Sequence, residues 1–140
     1  MVNKILAGVD EVGRGCLAGP VISCAIILKK NINKKFIKDS KTISFKNRIK
    51  IAKYIRKNSW YAIGSASVDE IDKYNIFNAT LISMERAAKK LKKKPHLFLI
   101  DGTHSPKKIK NSRTIIKGDQ KIKCISAASI VAKVYRDLYM

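Results

Sequence analysis

The sequence predicts an α/β domain built on a mixed sheet of about five strands flanked by helices. Three observations predict it: short runs rich in Val and Ile recur along the chain, amphipathic segments of helical period lie among them, and turn residues punctuate the junctions. At 140 residues the chain supports one hydrophobic core and is too short for two of ordinary size, so residues 1–140 are read as a single domain.

Lys4 to Val9 reads as a strand leading into Asp10. Val21 to Leu28 reads as a second strand beyond a Gly-rich turn, and the two form a hairpin. Residues 29–48 are dense in Lys and Asn and carry Asp39-Ser40-Lys41. Phe45, Ile49, Ala52 and Ile55 then recur at helical spacing, predicting a helix over 45–57. Trp60 to Val68 alternates as a third strand, and Asp69-Glu70-Ile71-Asp72 marks a turn or the start of a short helix. Asn78 to Leu91 is an amphipathic helix closed by Pro95. Lysines 89, 90, 92, 93 and 94 crowd its C-terminal end, where the helix dipole favours cations, so part of that run needs no partner to explain it. His96 to Ile100 is a strand running into Asp101, and the helix before it makes a crossover that sets it parallel to the first strand. Arg113 to Ile116 is a further strand ahead of a turn at Lys117-Gly118-Asp119-Gln120. From Ser126 the spacing of Ile130, Val131, Val134 and Leu138 predicts a last helix.

Thirty Lys and Arg against ten Asp and Glu give a formal net charge of +20, beyond what folding or solubility asks, and point to a polyanionic partner. Part of the lysine content reflects a general bias toward Lys, Ile and Asn. A membrane is the weaker partner: the longest apolar run, Val21 to Leu28, falls well short of the roughly 20 residues of a spanning helix. With no apolar leader at the N-terminus, a cytoplasmic location is expected. Cys16, Cys24 and Cys124 have neither disulfide-framework nor zinc spacing and are expected as buried thiols.

Asp10 with Glu11, and Asp101, fall where strands are expected to end; in an open sheet parallel neighbours bring such ends together in a ligand-binding crevice. Asp119 is close enough in sequence to fold back to the same edge. Carboxylates gathered in this way repel one another unless cations sit among them, and oxygen-rich sites suit Mg²⁺ or Mn²⁺. An Asp-Glu pair alone reads more readily as a surface turn. Gly13-Arg14-Gly15 sharpens it, since the glycines let the backbone approach a phosphate or sugar closely while Arg14 offers a forked cation. A dinucleotide-binding loop is excluded because Gly19 comes one residue late and a strand follows where a helix is needed; a Walker-type loop is excluded because no Gly-Lys-Ser or Gly-Lys-Thr occurs. His96 is read as a histidine without a role; His104, three positions past Asp101, is placed where it could approach a substrate but reads more readily as a loop histidine without a role.

The run Ala7 to Gly15, with Leu17-Ala18-Gly19-Pro20-Val21, resembles the N-terminal signature of ribonuclease HII. Asp39-Ser40-Lys41, a helix-start motif Asn75-Ile76-Phe77-Asn78-Ala79-Thr80, Ile100-Asp101-Gly102, Lys117-Gly118-Asp119 and Ser126 to Asp137 resemble later blocks of the same family, in order. Arg14 between glycines favours this family over its HIII relative. The resemblance implies a ribonuclease H-like fold, with Asp10, Glu11, Asp101 and Asp119 as catalytic metal ligands for Mn²⁺ or Mg²⁺. It implies nucleic-acid contacts from Gly13, Arg14, Gly15, Ser40, Lys41, Asn75, Asn78, Thr80, Ser129 and Lys133, with Asp137 as an accessory acid or else a surface partner of Arg136 or Lys133. The expected substrates are RNA-DNA hybrids and DNA with embedded ribonucleotides, cut by a monomeric endonuclease. Family members normally continue past the last helix with a tail carrying a tyrosine, so the domain is expected to be C-terminally short and marginally stable. The rival reading is a non-catalytic nucleic-acid-binding form of the same domain.

Overall fold

The computed structural model describes residues 4–13, 19–38 and 42–139. Five strands, β1 (Leu6–Val12), β2 (Val21–Leu28), β3 (Ser59–Ala66), β4 (Leu97–Asp101) and β5 (Ser112–Ile115), form one mixed sheet in the order β3-β2-β1-β4-β5. β1 and β2 are the predicted antiparallel hairpin, β3 extends it on β2, and β4 and β5 run parallel to β1.

Helices cover both faces. On one face α1 (Phe45–Lys57) and α4 (Lys123–Tyr139) pack on Ile22, Cys24 and Ile26 through Ala52, Ile55, Ala127, Ile130, Val131 and Val134. On the other, α2 (Val68–Lys90) packs Met84 and Ala87 against Ala7, Val9, Ala25 and Ile27. The near-continuous burial of β2 follows from this two-sided cover, because both of its alternating side-chain sets meet a helix. Glycines let the helices come close. A Cβ on Gly8 would lie 2.3 Å from the Cys124 backbone of α4, and one on Gly64 would lie 2.2 Å from the Ser83 carbonyl of α2.

Several boundaries differ from those predicted. β1 continues past Asp10 because Asp10, Glu11 and Val12 pair with Cys24, Ser23 and Ile22 of β2. The segment at Asp69 opens α2, held by a capping box in which the Ser67 hydroxyl accepts from the Glu70 N–H and the Glu70 carboxylate accepts from the Ser67 N–H. α2 is broken at Asn75, whose φ of 74° and ψ of 167° lie outside the helical region; the Asn75 carboxamide oxygen accepts from the Asn78 N–H and so caps the second half. The predicted helix start at Asn75 is therefore a start inside a longer span. Asp119 lies in a short helix, α3 (Gly118–Lys121), rather than in a bare turn. Within the lysine run, Lys93 lies 4.2 Å from the centre of the Trp60 ring and Lys29 5.0 Å from it, so these two cations rest on an aromatic face. Cys24 and Cys124 are buried free thiols, as expected; Cys16 lies outside the described residues.

Candidate metal centre

Two neighbouring parallel strands, β1 and β4, and the short helix that follows β5 bring three carboxylates to one edge of the sheet. In the β1–β4 ladder Val9 pairs with Ile100, so Asp10 and Asp101, each one residue further on, lie side by side. Asp101 in turn pairs with Ile115, the end of β5, and the chain then turns through Lys117, left-handed at φ 55°, into α3 with Asp119 in its first turn. The Asp101 Oδ1 accepts from the Gly118 N–H at 2.7 Å and, more loosely, from the Asp119 N–H at 3.4 Å, which ties α3 to β4. The Ser126 hydroxyl of α4 donates to the Asp119 carbonyl and anchors α3 from its other side.

The result is a cluster in which Asp10, Asp101 and Asp119 each offer a carboxylate oxygen, all within 4.8 Å of one another. Asp10 is only 3% exposed, and its Oδ1 accepts from the Glu11 N–H at 2.8 Å. Burial, then the neighbouring charges of Asp101 and Glu11, push its carboxyl well above the usual carboxylate range. The three donors fit an oxygen-coordinated divalent ion.

Glu11 is set differently. Alternation along β1 turns it to the face opposite Asp10, and it lines a cleft of about 240 Å³ together with Asp101, Gly102, Thr103, His104 and residues of α2 that include Phe77 and Thr80. Asp101 borders both groups, so the fourth predicted acid stands outside the triad, in the cleft that Asp101 shares.

The predicted nucleic-acid contacts fall in two places. On α4, the predicted Ser129 and Lys133 recur at helical spacing with Ser126 and Arg136, which are not among the predicted contacts, as one stripe. That stripe starts at the Asp119 carbonyl and ends where the Arg136 Nε donates to the Pro20 carbonyl and lies against buried Gly13. On α2, Thr80 is 3% exposed, lines the cleft and donates to the Ile76 carbonyl, while the Asn75 and Asn78 amides are engaged in the helix break. Arg14, Gly15, Ser40 and Lys41 lie outside the described residues.

Asp137 does not join the cluster, and it pairs with neither Arg136 nor Lys133. It lies fourteen residues beyond the start of α4, roughly 20 Å along the axis, and sits 3.6 Å from Arg48 of α1. Sequence reasoning passed over Arg136, Phe77 and Thr103, and took His104 for a loop histidine although it lines the cleft. The helix-start motif that contains Phe77 and the three-residue step from Asp101 to His104 were the only signals available.

The sequence model of the family described as Ribonuclease HII matches residues 7–140. The chain is 58% identical over 139 residues to a ribonuclease HII of Pelagibacter ubique, covering 98% of this chain and 74% of that protein. It is 49% identical over 136 residues to one of Thermotoga maritima, covering 97% of this chain and 56% of the relative, little more than half its length. Its fold is similar to the crystal structure of ribonuclease H2 from Pyrococcus horikoshii, with a TM-score of 0.81 at 28% identity over 95% of this chain and 72% of that one. A match over nearly the whole chain, on a sheet of the same architecture, means that this protein belongs to the ribonuclease HII family of ribonuclease H enzymes.

Proposed function

We propose that the chain is a metal-dependent endonuclease that hydrolyses the RNA strand of RNA-DNA hybrids and nicks DNA on the 5′ side of an embedded ribonucleotide. The observation that carries this reading is the gathering of Asp10, Asp101 and Asp119 within 4.8 Å on a protein whose net charge is +20. A pure binder of polyanions gains nothing from concentrated negative charge, whereas a phosphodiesterase needs it to hold cations against the scissile phosphate.

Asp10, Asp101 and Asp119, joined by Glu11 from the cleft, would hold divalent ions of the Mg²⁺ or Mn²⁺ type. A pair of such ions supplies an activated water and neutralises charge on the leaving oxygen. The Gly118 N–H fixes the orientation of Asp101, and Ser126 fixes the position of α3, so the donor set is assembled before substrate arrives. Ser129 and Lys133, on the stripe that starts at Asp119, are suited to sugar and phosphate oxygens, as are Ser40 and Lys41. Such contacts position a strand without reading its sequence. The Gly13-Arg14-Gly15 segment is the candidate reader of the 2′-hydroxyl, the group that separates RNA from DNA. Water adds to phosphorus and the 3′-oxygen of the preceding nucleotide, a deoxynucleotide where a single ribonucleotide is embedded in DNA, leaves. The products are a 3′-hydroxyl on that nucleotide and a 5′-phosphate on the ribonucleotide. Such an activity would serve removal of ribonucleotides from DNA.

A DNA duplex carrying one ribonucleotide, incubated with the chain and Mn²⁺ or Mg²⁺, should be nicked once with those end groups. The Asp10→Asn protein should bind the duplex and leave it intact. Undiminished cleavage by that protein would sink the assignment.

A further inference from the structure

The cleft beside the carboxylates holds an aromatic pair that neither the core nor the metal site uses. Phe77 of α2 and His104 of the segment after β4 meet edge to face, ring centroids 5.0 Å apart and planes at 90°. Neither belongs to a core cluster: Phe77 is 38% exposed and His104 is exposed as well. An aromatic side chain left open to water beside a polar cleft forgoes the stabilisation that burial would give it.

The backbone on each side is bent to present these rings. Each stands two residues beyond a position of positive φ, Asn75 at 74° for Phe77 and Gly102 at 120° for His104. For an asparagine to hold that conformation in the middle of a helical span, the surroundings must impose it, and such imposed strain gathers at functional sites. The Asn75 carboxamide secures the break by capping the Asn78 N–H. On the other wall the Thr103 hydroxyl lies 2.9 Å from the His104 Nδ1 and holds the imidazole in place. A Cβ built on Gly102 would meet nothing within 4 Å, so the floor between the rings and Asp101 is open.

We propose that Phe77 and His104 form a stacking platform for a base of the bound nucleic-acid strand next to the metal site, a subsite that rests on the nuclease reading above. An edge-to-face pair consumes one ring face and leaves the others free for a flat partner. Stacking suits an enzyme that must accept any sequence, since every base offers a π face. With Glu11, Thr80 and Asp101 sharing the cleft, a base held there keeps its own backbone at the carboxylate edge.

The test uses ribonucleotide-containing duplexes with 2-aminopurine placed in turn at the positions flanking the ribonucleotide, mixed with the full chain without divalent metal. At one flanking position, protein binding should quench the fluorescence beyond its level in the free duplex. His104→Ala and Phe77→Ala should abolish that quench, while His104→Phe and Phe77→Tyr should retain it. In steady-state cleavage His104→Ala should raise KM about tenfold, more than it lowers kcat, with Tm little changed because His104 is an exposed loop residue. The platform is refuted if no flanking position is quenched, or if His104→Ala leaves both the quench and KM as they are. Failure of the parent chain to nick would overturn the nuclease reading instead, and the fluorescence arm, which needs no turnover, would still decide the platform.

Discussion

Replacing Gly8 by alanine tests how the metal centre depends on helix-to-sheet spacing. A Cβ at Gly8 would stand 2.3 Å from the carbonyl carbon and oxygen of Cys124 and 2.5 Å from the Ile125 nitrogen, against the 3.4 Å where ordinary contact begins, a deficit of about 1.1 Å. All three atoms are backbone, so no rotamer change relieves the clash and α4 must move off β1 by about that distance. Overpacking typically costs about 1–3 kcal/mol, and an obstacle made of backbone belongs at the upper end. At roughly 3 kcal/mol a domain of this size loses on the order of 10 °C in Tm. The same displacement carries Ser126, and with it the Asp119 carbonyl, away from Asp10 and Asp101. A misplacement of about 1 Å can cost roughly 100-fold in rate. Thermal unfolding by circular dichroism, Mn²⁺ titration by calorimetry and cleavage assayed well below the variant's Tm measure the three effects separately. A Gly8→Ala protein that melts within about 2 °C of the parent, and binds Mn²⁺ and cleaves as the parent does, would refute the claim that this contact sets the geometry of the site.

Asp10 gives a pH test in the metal-free protein. Its carboxyl is raised in the folded state above its unfolded value, so the native protein holds that proton more tightly. The resulting stability is fully present below the unfolded value, near pH 4, and is lost as pH rises through the raised native value. The melting temperature should therefore fall on going from acid toward neutrality, and this component should vanish in the Asp10→Asn protein; identical pH profiles for the two would contradict it. Adding Mn²⁺ at neutral pH should raise the Tm of the parent and not of Asp10→Asn, and an equal rise in both would place the ion elsewhere. Ser126→Ala should cost about 1 kcal/mol in urea unfolding and weaken Mn²⁺ binding, because α3 loses its tie to α4; unchanged metal affinity would show that Asp101 alone positions Asp119. Binding of a hybrid by the metal-free chain should fall at least about tenfold between roughly 50 and 200 mM salt, as two neutralised phosphates alone would give, and a flat salt profile would argue against phosphate contacts by the lysine-rich surface.

Much of the fold is local physics and can be read along the chain. The Val- and Ile-rich run Val21 to Leu28, helical spacing in Phe45 to Ile55, and the amphipathic pattern from Asn78 are short-range signals, and each has its counterpart in the structure. The parallel course of β4 beside β1 follows from the helix between them, and it sets Asp10 next to Asp101. Other features depend on which elements pack together. Pairing with β2 extends β1 to Val12 and so sends Asp10 and Glu11 to opposite faces, where the sequence shows only an adjacent pair. Arg48 meets Asp137 because α1 lies against α4, a contact 89 positions apart that no local pattern announces. The Phe77–His104 pair likewise joins α2 to the segment after β4. Periodicity and turn chemistry thus settled the elements and the chemical types at their ends, since these are decided within a few residues. Which carboxylates converge, which acid stands apart, and where the aromatic rings face were decided by the packing of both helical layers onto the sheet, because only three-dimensional contact fixes the distances and burial on which charge depends.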